Sequence, residues 1–382
     1  MSQLFKKISK TIKKVTNKNS AKLHTPIFIG KENLYLKDCI KSTFVSTSGK
    51  YISQFEEKIK KFTGAKNAVA VVNGTVALQM ALRGLGVKIY DEILIPTLTF
   101  VGTANAVKHC GAIPHFVDSD KQSLGICLVN LEKHLKKISI KRGKNIYNRI
   151  TGRRIFAIIP VHVYGHIIDM KKLKKIANKF NLKILEDAAE SLGSFYLGKH
   201  SGTMGDAGII SFNANKVITT GGGGVILTNS ALLAKEIRHL ISTAKLSHSW
   251  KFVHDKVAWN YRMPNINAAL GCAQIEKLPH YVECKRRTAA KYLAWMADHD
   301  VQCVTEPAEA RSNYWLNAII LSDIEARNDF LSVTNGNGVI TRPMWTPMHT
   351  LPMFKKCLRC NLDATENIES RLVCLPSSVR TE

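Results

Sequence analysis

Short apolar runs alternate with amphipathic segments along the first half of the chain. The first run, at 67–72, ends at the polar residues Asn73, Gly74 and Thr75, and the residues after it carry apolar side chains at helical spacing. Similar runs, most of them separated by helical segments, recur at 92–95, 113–117, 155–160, 182–185 and 207–211. This alternation is typical of a mostly parallel sheet that is covered by helices on both faces.

The remaining pattern predicts elements on either side of this sheet. Two helices are expected before it, at 33–42 and 51–62. After it we expect a long helix at 278–298, two short strands at 314–321 and 338–341, and a further helix between these strands at 323–334. We therefore expect a large domain at 25–281 and a smaller C-terminal α/β domain at 282–382, preceded by a basic helical extension at 1–24. The basic segment 140–154 is expected to be an exposed loop.

Charge is the unusual global property, because 55 Lys+Arg against 29 Asp+Glu give a net charge of +26. One basic cluster, 6–22, carries apolar residues at near-helical spacing and predicts an amphipathic helix. This helix either packs on the protein body, the simpler interpretation, or makes a weak contact with an anionic membrane. We expect no nucleic-acid partner, since no zinc-finger, basic-zipper or RNA-recognition pattern accompanies the charge. A positive field would also attract a nucleotide-diphosphate substrate.

The cellular compartment follows from features that the sequence lacks. No apolar run approaches the roughly 20 residues of a membrane span, and residues 1–22 have no apolar core of a secretory signal, so we expect a cytoplasmic protein. Nine cysteines without a repeated spacing favour reduced thiols over a disulfide framework. Cys357 and Cys360 have no second pair to complete a zinc site, and we expect no metal.

An acid and a lysine mark the predicted ligand site, which in a parallel sheet lies beyond the carboxyl ends of the strands. Asp187 ends one buried run, and Lys216 follows another and precedes four glycines. Pyridoxal phosphate needs such a pair, since the lysine forms a Schiff base and the acid keeps the pyridine nitrogen protonated, which makes the ring an electron sink. The simpler alternatives are a surface lysine and a helix N-cap.

Other residues near these strand ends have two interpretations each. Gly74 and Thr75 either bind a phosphate at a helix N-terminus or form an ordinary turn. Phe100 either stacks on a ring or belongs to the core. His162 is either a structural histidine or an acid or base, and Arg262 either binds a donor carboxylate or forms a structural salt bridge.

Six segments resemble, in order and in register, the sugar aminotransferases of the DegT/DnrJ group. They are NGTVAL at 73–78, PTLTF at 96–100, PVHVYG at 160–165, EDAAE at 186–190, SFNANK at 211–216 and WNYR at 259–262. The resemblance extends from about residue 25 to residue 378. It implies the α/β fold of the aspartate aminotransferase superfamily, fold type I, with a mostly parallel central sheet and pyridoxal 5′-phosphate as the cofactor.

The resemblance also implies roles for individual residues. Lys216 would be the catalytic residue, and the cofactor would be bound by Lys216 together with Gly74, Thr75, Phe100, Asp187, Glu190, Ser211 and Asn260. Ser211 would add a hydroxyl to the phosphate site, and Asn260 would reach the phosphate of the neighbouring subunit, which implies a homodimer with shared active sites. His162, Arg262 and His349 are expected near the substrate, His349 as part of a C-terminal pattern that covers it.

One departure from the family pattern narrows the expected substrate. Most of the family has glutamine where Glu190 stands, whereas a subgroup that acts on UDP-linked 4-keto-6-deoxy-N-acetylhexosamines has an acid there. Segments 24–30, 43–46 and 219–224 resemble the same subgroup, whose products lead to bacillosamine or legionaminic acid. We therefore expect amino transfer from L-glutamate to the 4-keto carbon of such a sugar. The alternatives are a 3-keto or dTDP-linked sugar, or a non-catalytic regulatory or nucleic-acid-binding protein.

Overall fold

The structure is a computed structural model that describes residues 2–380. Its α-helices are α1 (Ser2–Thr16), α2 (Glu32–Lys41), α3 (Lys50–Thr63), α4 (Gly74–Leu85), α5 (Val101–His109), α6 (Leu128–Ile138), α7 (Met170–Phe180), α8 (Ala231–Ile241), α9 (Asn265–Ala297), α10 (Ile324–Gly336) and α11 (Asp363–Glu369). Its strands are β1 (Asn67–Val71), β2 (Glu92–Pro96), β3 (Ile113–Val117), β4 (Ser139–Arg142), β5 (Asn145–Asn148), β6 (Arg154–Ile158), β7 (Lys183–Asp187), β8 (Phe195–Tyr196), β9 (Lys199–His200), β10 (Ala207–Ser211), β11 (Gly224–Thr228), β12 (Gln302–Cys303), β13 (Ala310–Arg311), β14 (Asn317–Ile320), β15 (Arg342–Pro343) and β16 (Leu372–Leu375).

The central sheet has the strand order β1-β11-β10-β7-β6-β2-β3. The five strands from β10 to β3 are parallel, whereas β11 runs antiparallel to both of its neighbours. Helices cover both faces, because α4, α5 and α8 contribute to one apolar cluster against the sheet and α6 and α7 contribute to another. The predicted mostly parallel α/β fold is confirmed, and β11 is an addition that the apolar pattern did not predict.

A second sheet forms at the C-terminal end of the chain, with the order β12-β14-β16-β15. Strand β14 falls within the predicted strand at 314–321, whereas β15 begins one residue after the predicted strand at 338–341. Strand β16, which pairs with both β14 and β15, was not predicted. The proposed domain boundary at 281/282 stays a prediction, because the 33-residue helix α9 runs unbroken across it.

The prediction of a loop at 140–154 is wrong, since this segment contains the β4–β5 hairpin, which pairs with β6. The hairpin is anchored by inward-facing side chains. Ile146 is buried, and the buried Asn148 amide donates a hydrogen bond to the Glu92 carboxylate at 2.8 Å, which also accepts from the Thr151 hydroxyl at 2.5 Å. The basic residues face solvent, and they outnumber the inward-facing residues, so the alternation of buried and exposed positions typical of a strand is difficult to recognise in the sequence.

The N-terminal helix α1 packs on the C-terminal part of the chain. Ile8 and Ile12 are fully buried, and the Phe5 ring meets the Phe330 ring of α10 edge-on at 5.3 Å. The interpretation of α1 as a helix packed on the body is therefore confirmed. Its apolar face is therefore not available to a membrane, and a weak membrane contact through its exposed lysines stays a prediction. Over residues 2–380, no helix is long and apolar enough to cross a membrane.

Candidate active site

A cavity of about 330 Å³ lies at the carboxyl ends of the parallel strands. The turns after β1, β2, β7 and β10 all contribute to its wall, as expected for a ligand site in an open α/β sheet. Seven of the predicted residues line this cavity: Gly74, Thr75, Phe100, Asp187, Glu190, Ser211 and Lys216. The structure therefore brings together the predicted lysine, both predicted acids and the predicted phosphate-binding residues.

One end of the cavity is the N-terminus of α4. The Asn73 side chain caps this helix by accepting a hydrogen bond from the Val76 N–H at 2.8 Å. Gly74 is needed beside the cap, because a Cβ there would lie 3.0 Å from Cβ and 3.1 Å from Oγ of Ser211. The helix N-terminus and the hydroxyl-bearing Thr75 and Ser211 form the wall of the cavity here, which suits a phosphate group.

Asp187 is a buried carboxylate with neutral hydrogen-bond donors. It accepts from the Thr103 hydroxyl at 2.7 Å and from the Ala189 N–H at 3.2 Å. Burial raises the pKa of Asp187, and these donors and the charge of Lys216 only partly oppose that effect. A protonated pyridine nitrogen would give this carboxylate a cationic partner. Thr103 was missed by the sequence analysis, although it lies just one turn into α5 after the predicted Phe100.

Lys216 and Glu190 are in contact in the wall of the cavity. The lysine Nζ lies 3.3 Å from Oε1 of Glu190, and the other oxygen of this carboxylate accepts from the Tyr164 N–H at 2.9 Å. Burial raises the pKa of Glu190 to about 7, against the opposing effect of Lys216. Burial therefore favours the protonated form of the acid at position 190, next to the predicted catalytic amine.

Two tryptophans from the C-terminal part of the chain complete the wall. The Nζ atom of Lys216 lies 4.0 Å from the ring centroid of Trp315, whose Nε1 donates to the Asn215 carbonyl at 2.6 Å. Trp345 also lines the cavity. The sequence analysis assigned neither tryptophan to the site. Trp345 lies within the C-terminal pattern expected to cover the substrate, but no motif marks Trp315.

Two predicted substrate-binding histidines lie outside the cavity lining. His162 is fully buried, and its Nε2 is 3.0 Å from the Glu186 carboxylate. His349 is buried, with its Nδ1 hydrogen-bonded to the Thr97 hydroxyl at 2.8 Å and its Nε2 3.5 Å from Glu366. Burial lowers the pKa of His349. These contacts favour structural roles for both side chains, and a substrate contact stays a prediction.

Asn260 and Arg262 are also absent from the lining of this cavity. Asn260 is exposed and forms a backbone bridge with Ser242, whereas Arg262 forms one with Val71 at the end of β1. The absence of Asn260 from the lining in its own chain is compatible with its predicted contribution to a neighbouring subunit.

Comparison with known proteins adds to this geometry. The sequence model of the DegT/DnrJ/EryC1/StrS aminotransferase family matches residues 27–382. The chain belongs to this family. It is 36% identical over 334 residues to the GDP-perosamine synthase of Escherichia coli O157:H7, with 87% of each chain covered. It is 34% identical over 360 residues to the putative pyridoxal phosphate-dependent aminotransferase EpsN of Bacillus subtilis (strain 168), covering 93% of this chain and 90% of that one.

Solved structures show the same fold. A DegT DnrJ EryC1 StrS aminotransferase from Brucella abortus superimposes with a TM-score of 0.81 at 26% identity, over 91% of this chain and 90% of that chain. The predicted family, fold type and pyridoxal phosphate dependence are therefore confirmed, and the protein is a sugar aminotransferase. The predicted alternatives without catalytic activity are set aside by this membership.

Proposed function

We propose that this enzyme transfers an amino group from L-glutamate to the 4-keto carbon of a UDP-linked 4-keto-6-deoxy-N-acetylhexosamine, for surface-glycan or nonulosonic acid synthesis. The observation that carries the proposal is the position of Lys216, which faces Glu190 in a cavity that also contains buried Asp187. The cavity opens beside the N-terminus of α4, where the phosphate of the cofactor would bind. A cytoplasmic location stays a prediction.

The residues present fit pyridoxal phosphate at both ends. The N-terminus of α4, with Thr75 and Ser211, would hold its phosphate, and Asp187 would pair with its pyridine nitrogen. Phe100 also lines the cavity and is 57% exposed, which suits the predicted stacking on the cofactor ring. When bound, the cofactor supplies an electron sink for cleavage of a bond at the substrate carbon.

Lys216 has the position required for proton transfer at that carbon. Its side chain is 14% exposed and lines the cavity, so Nζ can reach a bound substrate. We infer that Nζ accepts the proton from the α-carbon of the amino donor and returns a proton to C4 of the sugar in the second half-reaction. Glu190 and the Trp315 ring keep the amine in place between these steps.

The choice of acceptor rests on Glu190. An acid at this position was the sequence feature that pointed to UDP-linked N-acetylhexosamines, and the structure supports a direct role because the carboxyl group lines the cavity. The similarity to enzymes named GDP-perosamine synthase favours a GDP-linked keto sugar as the rival acceptor. A relative that is 29% identical over 323 residues is named as a UDP-sugar 3-aminotransferase, which supports a 3-keto sugar as a further alternative acceptor.

The acceptor can be tested by following the cofactor spectrum. Purified enzyme should show a visible band near ~420 nm that L-glutamate bleaches and that the UDP-linked 4-keto sugar restores. GDP-linked 4-keto, dTDP-linked 4-keto and UDP-linked 3-keto sugars should restore it at least tenfold more slowly. Restoration by the GDP-linked sugar alone would reject the proposed acceptor and keep the aminotransferase.

The role of Lys216 has a matched control. Lys216→Ala should lose the visible band and turnover, whereas Lys235→Ala, which removes an exposed lysine on α8, should retain both. Turnover by Lys216→Ala at the wild-type rate would contradict the assignment of this residue.

We also propose a homodimer in which each subunit completes the active site of the other. The segment before Asn260 exposes apolar side chains that a monomer would leave in water, since Trp250, Phe252 and Val257 are 76%, 79% and 93% exposed. Large apolar patches of this kind mark protein interfaces. Phe100, at the mouth of the cavity, is also more than half exposed.

A complementation experiment tests the shared site directly. Lys216→Ala and Asn260→Ala should each be impaired alone. When the two variants are refolded together in equal amounts, half of the dimers should contain one subunit of each variant. One of the two sites in such a dimer is intact, so about a quarter of wild-type activity should return. A dimer without any recovery would place Asn260 in its own subunit's site or outside both sites.

A further inference from the structure

The positive charge of the chain is concentrated in one region that the proposed reaction does not use. Residues 121–183 contain 16 Lys+Arg and only two Asp+Glu, whereas the whole chain has 55 and 29. This region comprises α6, the β4–β5 hairpin and α7. We call the solvent-exposed lysines and arginines of these three elements the basic face.

Contacts between the three elements make the basic face continuous. Helices α6 and α7 pack on the same face of the central sheet, and Lys179 of α7 forms an ion pair with Glu132 of α6 at 2.8 Å. The Asn181 amide, just after α7, donates to the carbonyl of Lys144 at the turn of the hairpin. The charges therefore lie side by side on one surface.

The two acids within this region are already engaged. Glu132 also pairs with Lys136 at 3.3 Å, and Asp169 caps α7 and accepts a hydrogen bond from the Tyr196 hydroxyl at 2.8 Å. By contrast, Lys171, Lys172, Lys174 and Lys175 are all exposed, and none forms an ion pair with the described residues. A helix with four unpaired lysines in its first two turns has a strong field toward solvent.

The position of the hairpin argues against a role for this part of the basic face in attracting the sugar nucleotide. The hairpin pairs with Arg154 and Ile155, the first residues of β6, so it lies at the amino ends of the parallel strands. The cavity lies at their carboxyl ends. Helix α7 connects the parallel strands β6 and β7, so the basic face extends along α7 from Lys171, on the side of the carboxyl ends, to Lys179, on the side of the hairpin.

Exposed aliphatic side chains accompany the charge at the hairpin. Ile150 is 70% exposed in the turn after β5, and Ile140 of β4 is 38% exposed. Arg149 and Lys141, their neighbours in sequence, are exposed as well. Apolar side chains surrounded by cations suit a lipid surface, where the cations meet anionic headgroups and the apolar groups enter the interface. The aromatic ring of the hairpin, Tyr147, is partly buried and covered by Arg142, so it is not available to stack on bases.

We propose that the basic face is a docking surface for an anionic lipid bilayer, with the hairpin isoleucines at the membrane interface. This contact would hold the enzyme peripherally, with the face of the sheet that α6 and α7 cover turned toward the lipid. The proposal does not depend on which sugar the enzyme uses.

The test measures co-sedimentation of the full-length holoenzyme with vesicles. Binding is expected to vesicles of phosphatidylcholine with phosphatidylglycerol, but not to phosphatidylcholine alone, and high salt should release the protein. The variant with Lys171, Lys172, Lys174 and Lys175 each changed to Glu should bind at least tenfold more weakly. The matched control changes four exposed lysines of α1 to Glu, namely Lys6, Lys7, Lys10 and Lys14. It alters the net charge equally and should retain most of the binding.

A second variant separates insertion from charge. Ile140→Ser with Ile150→Ser keeps the net charge and should weaken binding severalfold, while cofactor content and transamination remain at wild-type level. Equal losses in the α1 and α7 variants would show attraction by net charge alone and overturn the proposal. Tighter binding to random duplex DNA than to phosphatidylglycerol vesicles would also overturn it, in favour of a nucleic-acid contact.

Discussion

Lys285 provides a quantitative test of the structure close to Lys216, the proposed catalytic residue. It lies on α9 with its side chain 0% exposed, and its Nζ donates to the carbonyl oxygens of Trp315, at 3.1 Å, and Ser377. Its bonding partners are therefore neutral. Burial lowers the pKa of Lys285 from 10.5 to about 7. We predict that Lys285→Met removes a pH-dependent contribution to folding stability.

The sign follows from proton binding in the two states. Between pH 7 and pH 10.5 the unfolded chain binds more protons at this residue than the folded chain, so wild-type stability rises with pH and is lost as pH falls through 7. A folded-state pKa of about 7 gives a gain of about 2 kcal/mol between pH 7 and pH 9. The methionine variant lacks this gain, because its side chain does not ionise.

Urea unfolding at pH 7, 8 and 9 and fixed protein concentration measures the effect. Lys285→Met also leaves two carbonyl groups without their donor, at a cost of about 1–3 kcal/mol for each, but this cost does not vary with pH. The informative quantity is therefore the change with pH of the difference between wild type and variant. Lys291→Met, which removes an exposed lysine on the same helix, is the control and should show no such change.

The reasoning is refuted if the difference between wild type and Lys285→Met is the same at pH 7 and pH 9. That result would mean that Lys285 remains ionised in the folded protein and has access to water or to an anion. A pH-dependent difference of similar size in Lys291→Met would instead point to a general charge effect.

Three further changes test other parts of the molecule. Because the pKa of Glu190 is raised on folding, the wild-type apoenzyme should lose up to about 3 kcal/mol of stability as pH rises from about 4.5 to 7. Glu190→Gln should not show this loss, and urea unfolding across this pH range measures it. Gly74→Ala should weaken cofactor retention by about 1–3 kcal/mol, because the new Cβ crowds Ser211; equilibrium dialysis of the cofactor measures it, and unchanged affinity would contradict the close fit. Phe330→Ala should cost about 3–5 kcal/mol by removing the ring that packs on Phe5; a thermal midpoint equal to that of wild type would show that α1 does not depend on this contact.

The sequence predicted those parts of the site whose position depends only on strand ends. Asp187 ends β7 and Ser211 ends β10, and these strands are parallel neighbours, so their last residues lie at the same edge of the sheet. The N-terminus of α4 reaches this edge because β1 ends three residues earlier. The position of such residues can be predicted from an apolar run and the turn that follows it, because ligands bind beyond the carboxyl ends of parallel strands.

Other parts of the site depend on contacts that leave no local pattern. Trp315 reaches Lys216 from a segment about a hundred residues away, and no motif surrounds it. Strand β11 was missed because glycines precede its short apolar run: three lie before the strand, and Gly224 is its first residue. The hairpin at 140–154 was missed because its outward-facing lysines and arginines outnumber its inward-facing residues.

These missed contacts have one consequence for specificity. The large sheet and its connections supply Asp187, Glu190, Lys216 and the proposed phosphate end of the cavity, whereas Trp315 and Trp345 supply a wall from outside it. The Trp315 backbone is held by Lys285, so the wall next to the amine depends on the packing of α9 and the C-terminal sheet. We therefore expect changes in the C-terminal part to reshape the cavity without altering the residues proposed to bind the cofactor. We expect acceptor preference to depend on this wall and on Glu190, and cofactor binding to depend on the strand ends.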